Sequence, residues 1–279
     1  MNRENLAWIK RSPLVPAALA GSVFWLFGVA LSSGQSSTPN EMHGRAASTA
    51  AIERFWTIYH GNDYDAIPQV QADLQAALKH DPENATLNAV LGATYFWHFG
   101  EYTRDPKATQ ASLQQDISNA IQLFQNALNL DYYRQHPIGY VNDDHLPGYL
   151  GITMAHAGQL SNSPDLVAKA DQALDFSVYQ FPEFNNFNRW AAHNSDPKDS
   201  DGYKKALDSL WQAIDACIGG AIDRANPDVR PYFYLQTAVG RKKACWSEGN
   251  IAPHSFEGIM LNLGNGLVKA GQVNVARIV

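Results

Sequence analysis

The chain has few cysteines and no excess of basic charge. Its 279 residues include only two cysteines, Cys217 and Cys245. Two are too few for a small disulfide-dense domain or for a zinc site with four cysteine ligands. Acidic residues outnumber basic ones, 27 to 21, for a formal net charge of −6. An acidic surface repels phosphate backbones, and no basic stripe with interleaved aromatics occurs, so we expect no nucleic-acid binding.

The sequence also lacks the short motifs that mark common enzyme classes. It contains no Walker-type phosphate loop, no Gly-x-Ser-x-Gly elbow, no His-Glu-x-x-His and no dinucleotide fingerprint. We therefore expect a non-catalytic protein that needs no cofactor. The alternative is a helical enzyme that uses a loop histidine (His145, His193 or His254) with nearby carboxylates.

Histidines and aspartates cluster in two segments that the sequence predicts to be loops. The first contains His136, Asp143, Asp144 and His145, and the second contains His193 and Asp196. These residue types can bind metals, but no His-x-x-x-His pair places two ligands on one helix face. Acidic loops that contain histidine are usually solvated turns, so we expect no metal site.

The one long hydrophobic run lies near the N terminus. Lys10 and Arg11 precede an uncharged stretch from Pro13 to Gly34, and small polar residues surround its end. The order is typical of a secretory signal, and the length is near the about 20 residues that span a bilayer. We expect residues 1–33 to be a signal peptide or a single transmembrane anchor, followed by a polar linker at 34–46. In both cases the remainder is predicted to be exported to the periplasm or another extracytoplasmic compartment.

Residues 47–279 show helical periodicity between proline, glycine, asparagine and aspartate breaks. The clearest stretch, 112–130, has apolar residues at Leu113, Ile117, Ala120, Ile121, Phe124, Ala127 and Leu128. No stretch of four to eight residues alternates like a strand between turn signals. The sequence therefore predicts an all-α domain, in which residues 181–202 are irregular.

Two of these helical stretches carry a pattern of small and aromatic residues. Gly92 and Tyr95 lie in the first stretch, and Ala120, Phe124 and Ala127 lie in the second. The pattern resembles the tetratricopeptide-repeat (TPR) family, in which two helices pair over about 34 residues with small residues at their contact. The resemblance implies a right-handed solenoid of helical hairpins that binds peptides or helices on a concave surface.

The repeats are degenerate. Partial matches recur at Gly151 and Gly264, where the family would again place small residues between helices. Gly92 and Ala120 are 28 positions apart, whereas an uninterrupted repeat needs about a dozen within its period. The pair is therefore predicted to carry an insertion around residues 100–112. A generic helical bundle with alanines at its contacts is the alternative.

The two cysteines lie near the ends of successive predicted helices. Antiparallel neighbours would bring Cys217 and Cys245 together, and an exported protein meets oxidising conditions. We expect a disulfide between them. The alternative is a pair of buried free thiols.

Two aromatic segments are candidate binding surfaces. They comprise Tyr132, Tyr133 and Tyr140 in one, and Phe184, Phe187 and Trp190 in the other. Aromatic rings among amide side chains suit peptides, glycans or small polar ligands. The alternative is that these rings fill gaps between helices.

These observations together predict an exported TPR-like scaffold that binds a protein partner or peptide. The acidic balance favours a partner with a basic or neutral contact surface. The alternative is an accessory or ligand-binding subunit of a membrane or envelope complex, which the N-terminal segment would hold at the membrane if it is not cleaved.

Overall fold

The computed structural model describes residues 39–130, 145–232, 245 and 255–279. Within these ranges the chain forms α-helices and short 3-10 turns and contains no strand, so the predicted all-α class is confirmed. The helices are α1 (Pro39–His60), α2 (Ile67–His80), α3 (Ala85–Gly100), α4 (Gln110–Asn129), α5 (Leu146–Leu160), α6 (Pro164–Gln180), α7 (Pro182–His193), α8 (Asp201–Ile218), α9 (Phe256–Lys269) and α10 (Val273–Ala276).

Short polar side chains begin several helices. Before α3, the side-chain oxygen of Asn84 accepts a hydrogen bond from the Leu87 backbone N–H at 2.9 Å. Before α4, Thr109 and Ser112 form a reciprocal capping box. These contacts satisfy N–H groups that the first turn of a helix leaves without partners. At its other end, α8 stops at Gly219, whose φ of 76° is a left-handed conformation that glycine adopts without strain.

Two segments differ from the sequence prediction. Helix α1 begins at Pro39, so residues 39–46 of the expected linker are helical. Helix α7 forms inside the stretch 181–202, which was predicted to be irregular. Its asparagines hide the helical pattern because they are buried rather than solvated. The Asn185 Nδ2 atom, for example, donates to the Ser177 carbonyl at 2.8 Å.

Each helix packs against the next one along the chain, and alternate helices also touch. Helix α1 contacts α3, α3 contacts α5, and α5 contacts α7. The buried apolar side chains form two clusters, one spanning α1 to α6 and one spanning α7 to α9. Helix α7 belongs to both, since Ala192 packs in the first cluster and Trp190 in the second.

Glycines mark the closest helix contacts. A Cβ on Gly92 would lie 2.8 Å from the Phe124 ring, and one on Gly151 would lie 2.8 Å from Leu174. Gly264 is different, because no described atom lies within 4 Å of a Cβ built there. The close approach in α9 occurs two positions later, where a Cβ on Gly266 would lie 2.7 Å from Leu207.

The predicted disulfide is confirmed. Cys217, near the end of α8, is bonded to Cys245 across 28 residues, with the Cα atoms 5.8 Å apart. Both residues are fully buried. The bond is compatible with an oxidising, extracytoplasmic compartment.

Residues 1–33, predicted to be a signal or anchor, lie outside the described part of the chain. Among the described helices, none has the length and apolar character required to cross a bilayer. The export prediction therefore rests on the sequence and on the disulfide.

Candidate functional site

Three alternate helices, α1, α3 and α5, enclose a cavity of about 220 Å³. We call it the aromatic pocket. Its lining residues are Phe55, Trp56, Tyr59, Ala93, Phe96, Trp97, Gly100, Glu101 and Tyr149. Six of these nine residues carry an aromatic ring.

The rings of the aromatic pocket support one another. Phe55 and Trp97 are buried, whereas 43% of Tyr59 is exposed. The Tyr59 and Trp97 rings meet nearly at right angles with centroids 5.1 Å apart, and Phe55 meets Trp56 at 4.8 Å. Edge-to-face contacts of this kind fix ring positions. The pocket is thus a preformed apolar site with an exposed tyrosine.

Glu101 is the one charged side chain among the described residues that line the pocket. It follows the last residue of α3, and its Oε2 atom accepts a hydrogen bond from Arg104 Nη1 at 2.6 Å. Although 43% of the Tyr59 residue is exposed, its hydroxyl group lies among protein atoms, and this burial is the first cause of its raised pKa; the negative charge of Glu101 is the second. Burial also raises the pKa of Tyr149. The raised pKa values keep both phenols neutral at physiological pH, so Glu101, which is paired with Arg104, is the one charged group of the described lining.

The backbone adds to this negative potential. The α1 residues of the pocket lie in the last turns of that helix, and the α3 residues extend to its final turn. Helix C-termini carry partial negative charge. Helix α5 contributes Tyr149 from its first turn, where the partial charge of the backbone is positive. Two helix C-termini and one helix N-terminus therefore lie at the pocket.

A second cavity of about 360 Å³ lies between α2, α3 and α4. Its lining residues are Leu78, Pro82, Asn88, Leu91, Tyr95, Asn119, Gln122, Leu123 and Asn126. We call it the amide pocket. Asn88 is already engaged, because its Nδ2 atom donates to the Asn84 carbonyl at 2.9 Å. The amide pocket therefore offers fewer free groups than its composition indicates.

The aromatic residues predicted from sequence occupy other places. Phe184 and Trp190 on α7 are 6% and 5% exposed, and Phe187 is half-buried. The Phe184 ring packs against His145 at 4.2 Å, and Trp190 Nε1 donates to Asn262 Oδ1 at 3.3 Å. These two rings pack between helices. Tyr132, Tyr133 and Tyr140 lie outside the described residues.

None of the residues that line the aromatic pocket is among the six binding residues predicted from the sequence. A signal was present in the neighbouring pairs Phe55-Trp56 and Phe96-Trp97. Adjacent residues on a helix point about 100° apart, so two neighbouring rings cover a wide arc of the helix surface. Here both pairs line the same cavity, one from α1 and one from α3.

His193 and His98 each contact two carboxylates. His193 contacts Asp196 through Nδ1 and Asp171 through Nε2, each at 2.8 Å. His98 contacts Asp116 through Nδ1 at 2.7 Å and Asp105 through Nε2 at 3.4 Å. In both cases the two nitrogens point to different carboxylates rather than to a common point. No group of three or more His, Cys, Asp or Glu residues that could hold a metal occurs within the described ranges.

The histidines considered for catalysis are also dispersed. His145 precedes α5, with its ring against Phe181 and Phe184, and His193 ends α7 between its two aspartates. His136 and His254 lie outside the described residues.

Comparison with known proteins gives no match to a protein family, to a characterised protein or to a solved structure. Function is therefore argued from the pocket, the helix packing and the charges alone.

Proposed function

We propose that the protein is an exported, TPR-like helical solenoid that binds a protein or peptide partner and catalyses no reaction. The partner would bind on the face where α1, α3 and α5 meet, around the aromatic pocket. One observation carries the proposal: six aromatic rings from three alternate helices enclose a preformed cavity.

The helix packing supports a solenoid over a generic bundle. Each helix contacts its successor, and the odd-numbered helices α1 to α7 contact one another in series. In a solenoid of hairpins, alternate helices form one continuous surface. The close contacts Gly92–Phe124 and Gly151–Leu174 lie within successive hairpins, α3–α4 and α5–α6.

The size of the aromatic pocket favours part of a macromolecule over a whole small ligand. Its volume, about 220 Å³, is below the roughly 300–1,000 Å³ typical of small-molecule sites. It suits one or two inserted side chains. Aromatic residues in well-packed pockets are also the usual anchors of protein interfaces.

The disulfide supports action outside the cytoplasm, because such bonds persist in oxidising compartments. If residues 1–33 stay attached as an anchor, the same face would serve an accessory subunit of an envelope complex. Whether the protein is free or anchored, the partner would bind at the aromatic pocket.

Gly100 provides a direct test. It lines the pocket and ends α3, and no described atom lies within 4 Å of a Cβ built there. Gly100→Leu adds an apolar side chain at the pocket, and we expect it to occupy the cavity, because its Cβ has open space around it. Gly264→Leu is the matched control, since that position in α9 has the same open surroundings.

A displayed random-peptide library would be selected against the purified full chain. We expect enriched peptides that bind the unmodified chain and Gly264→Leu equally, and Gly100→Leu at least about tenfold more weakly, as for loss of an interface anchor. Equal binding to all three chains would place the site elsewhere. Failure to enrich any peptide would contradict the proposal.

A further inference from the structure

We propose that the aromatic pocket receives an arginine side chain of the partner, held by its aromatic rings and by Glu101. This inference rests on the proposed function and specifies the chemistry of its anchor. The aromatic rings of the pocket and the position of the Glu101 carboxylate support it.

The aromatic lining of the pocket suits a cation. A ring face carries negative electrostatic potential and attracts a cation within about 6 Å, and arginine makes such contacts more often than lysine. The protein already contains one example next to the pocket, where the Arg104 guanidinium lies 4.6 Å from the Tyr64 ring centroid. The aromatic pocket offers six rings and no cationic side chain among its described lining residues.

The carboxylate of Glu101 offers the cation a hydrogen-bond acceptor. Glu101 has two oxygens, and Oε2 accepts the bond from Arg104. No hydrogen bond to Oε1 occurs within the described part of the chain, and 43% of the side chain is exposed. A guanidinium presents several N–H donors and can bond to this oxygen while its plane lies against a ring.

Arg104 does not cancel the attraction at the pocket. The Nη1 atom that bonds to Glu101 also donates to Asn62 Oδ1 at 2.6 Å, and the guanidinium lies over the Tyr64 ring. In the pocket, burial and, second, the negative charge of Glu101 raise the pKa of Tyr59. The carboxylate therefore still acts at the Tyr59 ring although it is paired with Arg104.

Arginine fits better than the other candidates. Its guanidinium is planar and weakly hydrated, so it enters an aromatic site at lower desolvation cost than the compact lysine ammonium. A purely apolar side chain would fill the cavity but would bury Glu101 without a new partner. An acidic side chain would be repelled by the same carboxylate.

The test uses small probes and the full chain labelled with 5-fluorotryptophan. The chain contains seven tryptophans, and the resonances of Trp56 and Trp97 are assigned with Trp→Phe variants. The probes are N-acetyl-arginine amide, the lysine analogue, and N-acetyl-citrulline amide, which has the same shape as arginine without its charge. Fluorine NMR reports which tryptophans each probe shifts and at what concentration.

We expect N-acetyl-arginine amide to shift Trp56 and Trp97 and to bind about tenfold more tightly than the citrulline probe, as for loss of one charge-assisted hydrogen bond. Glu101→Gln should remove most of that difference. Gly100→Leu should abolish the shifts, and Gly264→Leu should preserve them.

Equal binding of arginine and citrulline, shifts confined to other tryptophans, or no binding by any probe would overturn the inference. The peptide selection separates this failure from failure of the proposed function. Peptides that depend on Gly100 but bind equally well after their arginines are replaced would contradict the arginine anchor and leave the partner-binding function in place. Peptides that are never enriched, with probe binding intact, would contradict the function and leave the guanidinium site.

Discussion

At the scale of single residues, His193 shows how the protein stabilises a buried imidazole. Its side chain is 6% exposed and lies between Asp171 of α6 and Asp196, which follows α7. The hydrogen bond to Asp171 is the main reason that the pKa of His193 lies above its ordinary value, and burial opposes the shift. The positive charge of His193 in turn lowers the pKa of His156, in addition to the larger effect of burial.

This arrangement predicts a pH-dependent contribution to stability. The folded pKa of His193 is raised, so its stabilisation is complete below about pH 6.5, the ordinary histidine pKa, and is lost as pH rises through the folded pKa. We expect His193→Gln to lower the free energy of unfolding by about 1–2 kcal/mol at pH 5.5, because both aspartates are partly solvated. The loss should be smaller at pH 9. Urea unfolding of both chains at the two pH values measures it, and an equal loss at both would contradict the protonated bridge.

At the scale of helices, the contact between α3 and α4 depends on the absence of a side chain at Gly92. The Phe124 ring occupies the space that a Cβ would need, and Phe124 itself is 1% exposed. Interiors are close-packed, so the ring has little room to move. The glycine thus sets how closely the two helices approach.

Gly92→Ala should therefore destabilise the protein, although alanine favours helices more than glycine does. We expect a net loss of about 1–3 kcal/mol from overpacking. Gly264→Ala is the matched change in α9, where open space should leave only the gain in helix propensity, up to about 1 kcal/mol. Urea denaturation of both variants gives the comparison. Equal and positive effects at the two positions would show that α3 and α4 are not in close contact.

Helices differ in how well the sequence predicts them. Helix α4 is clear because its apolar residues repeat at three- and four-residue spacing and its polar residues face water. Helix α7 is hidden because three of its asparagines, Asn185, Asn186 and Asn188, are buried and bonded internally. A pattern based on polarity assigns such residues to the surface. Their partners are Ser177 in the preceding helix and residues of the preceding turn, and the sequence alone does not reveal these contacts.

The candidate site was harder to predict than the fold. The disulfide followed from the presence of only two cysteines in a chain predicted to be exported. The aromatic pocket could not be predicted from the sequence, because Phe55 and Trp56 of α1 line it together with Phe96 and Trp97 of α3. Sequence periodicity identifies the buried side of each helix but does not determine which helices come together.

At the scale of the whole molecule, the disulfide joins the end of α8 to a distant part of the chain within the second core cluster. Closing a loop of this length restricts the unfolded chain. We expect replacement of both Cys217 and Cys245 by serine to lower the free energy of unfolding by about 3–4 kcal/mol. Unfolding with and without a reductant checks the assignment, because the double variant should not respond to reduction. A reductant effect of the same size in that variant would show that the bond is not the cause.

The partner is proposed to bind over α1, α3 and α5. The most direct measurement is site-specific photo-crosslinking to a peptide selected by the library. The crosslinker p-benzoylphenylalanine replaces Tyr59, the exposed ring of the aromatic pocket, or Tyr179 of α6, which is 73% exposed and serves as the control. We expect the peptide to be crosslinked from position 59 and not from position 179. Adding Gly100→Leu should abolish the crosslink from position 59. Crosslinking that is absent at position 59 or equal at both positions would contradict this proposal.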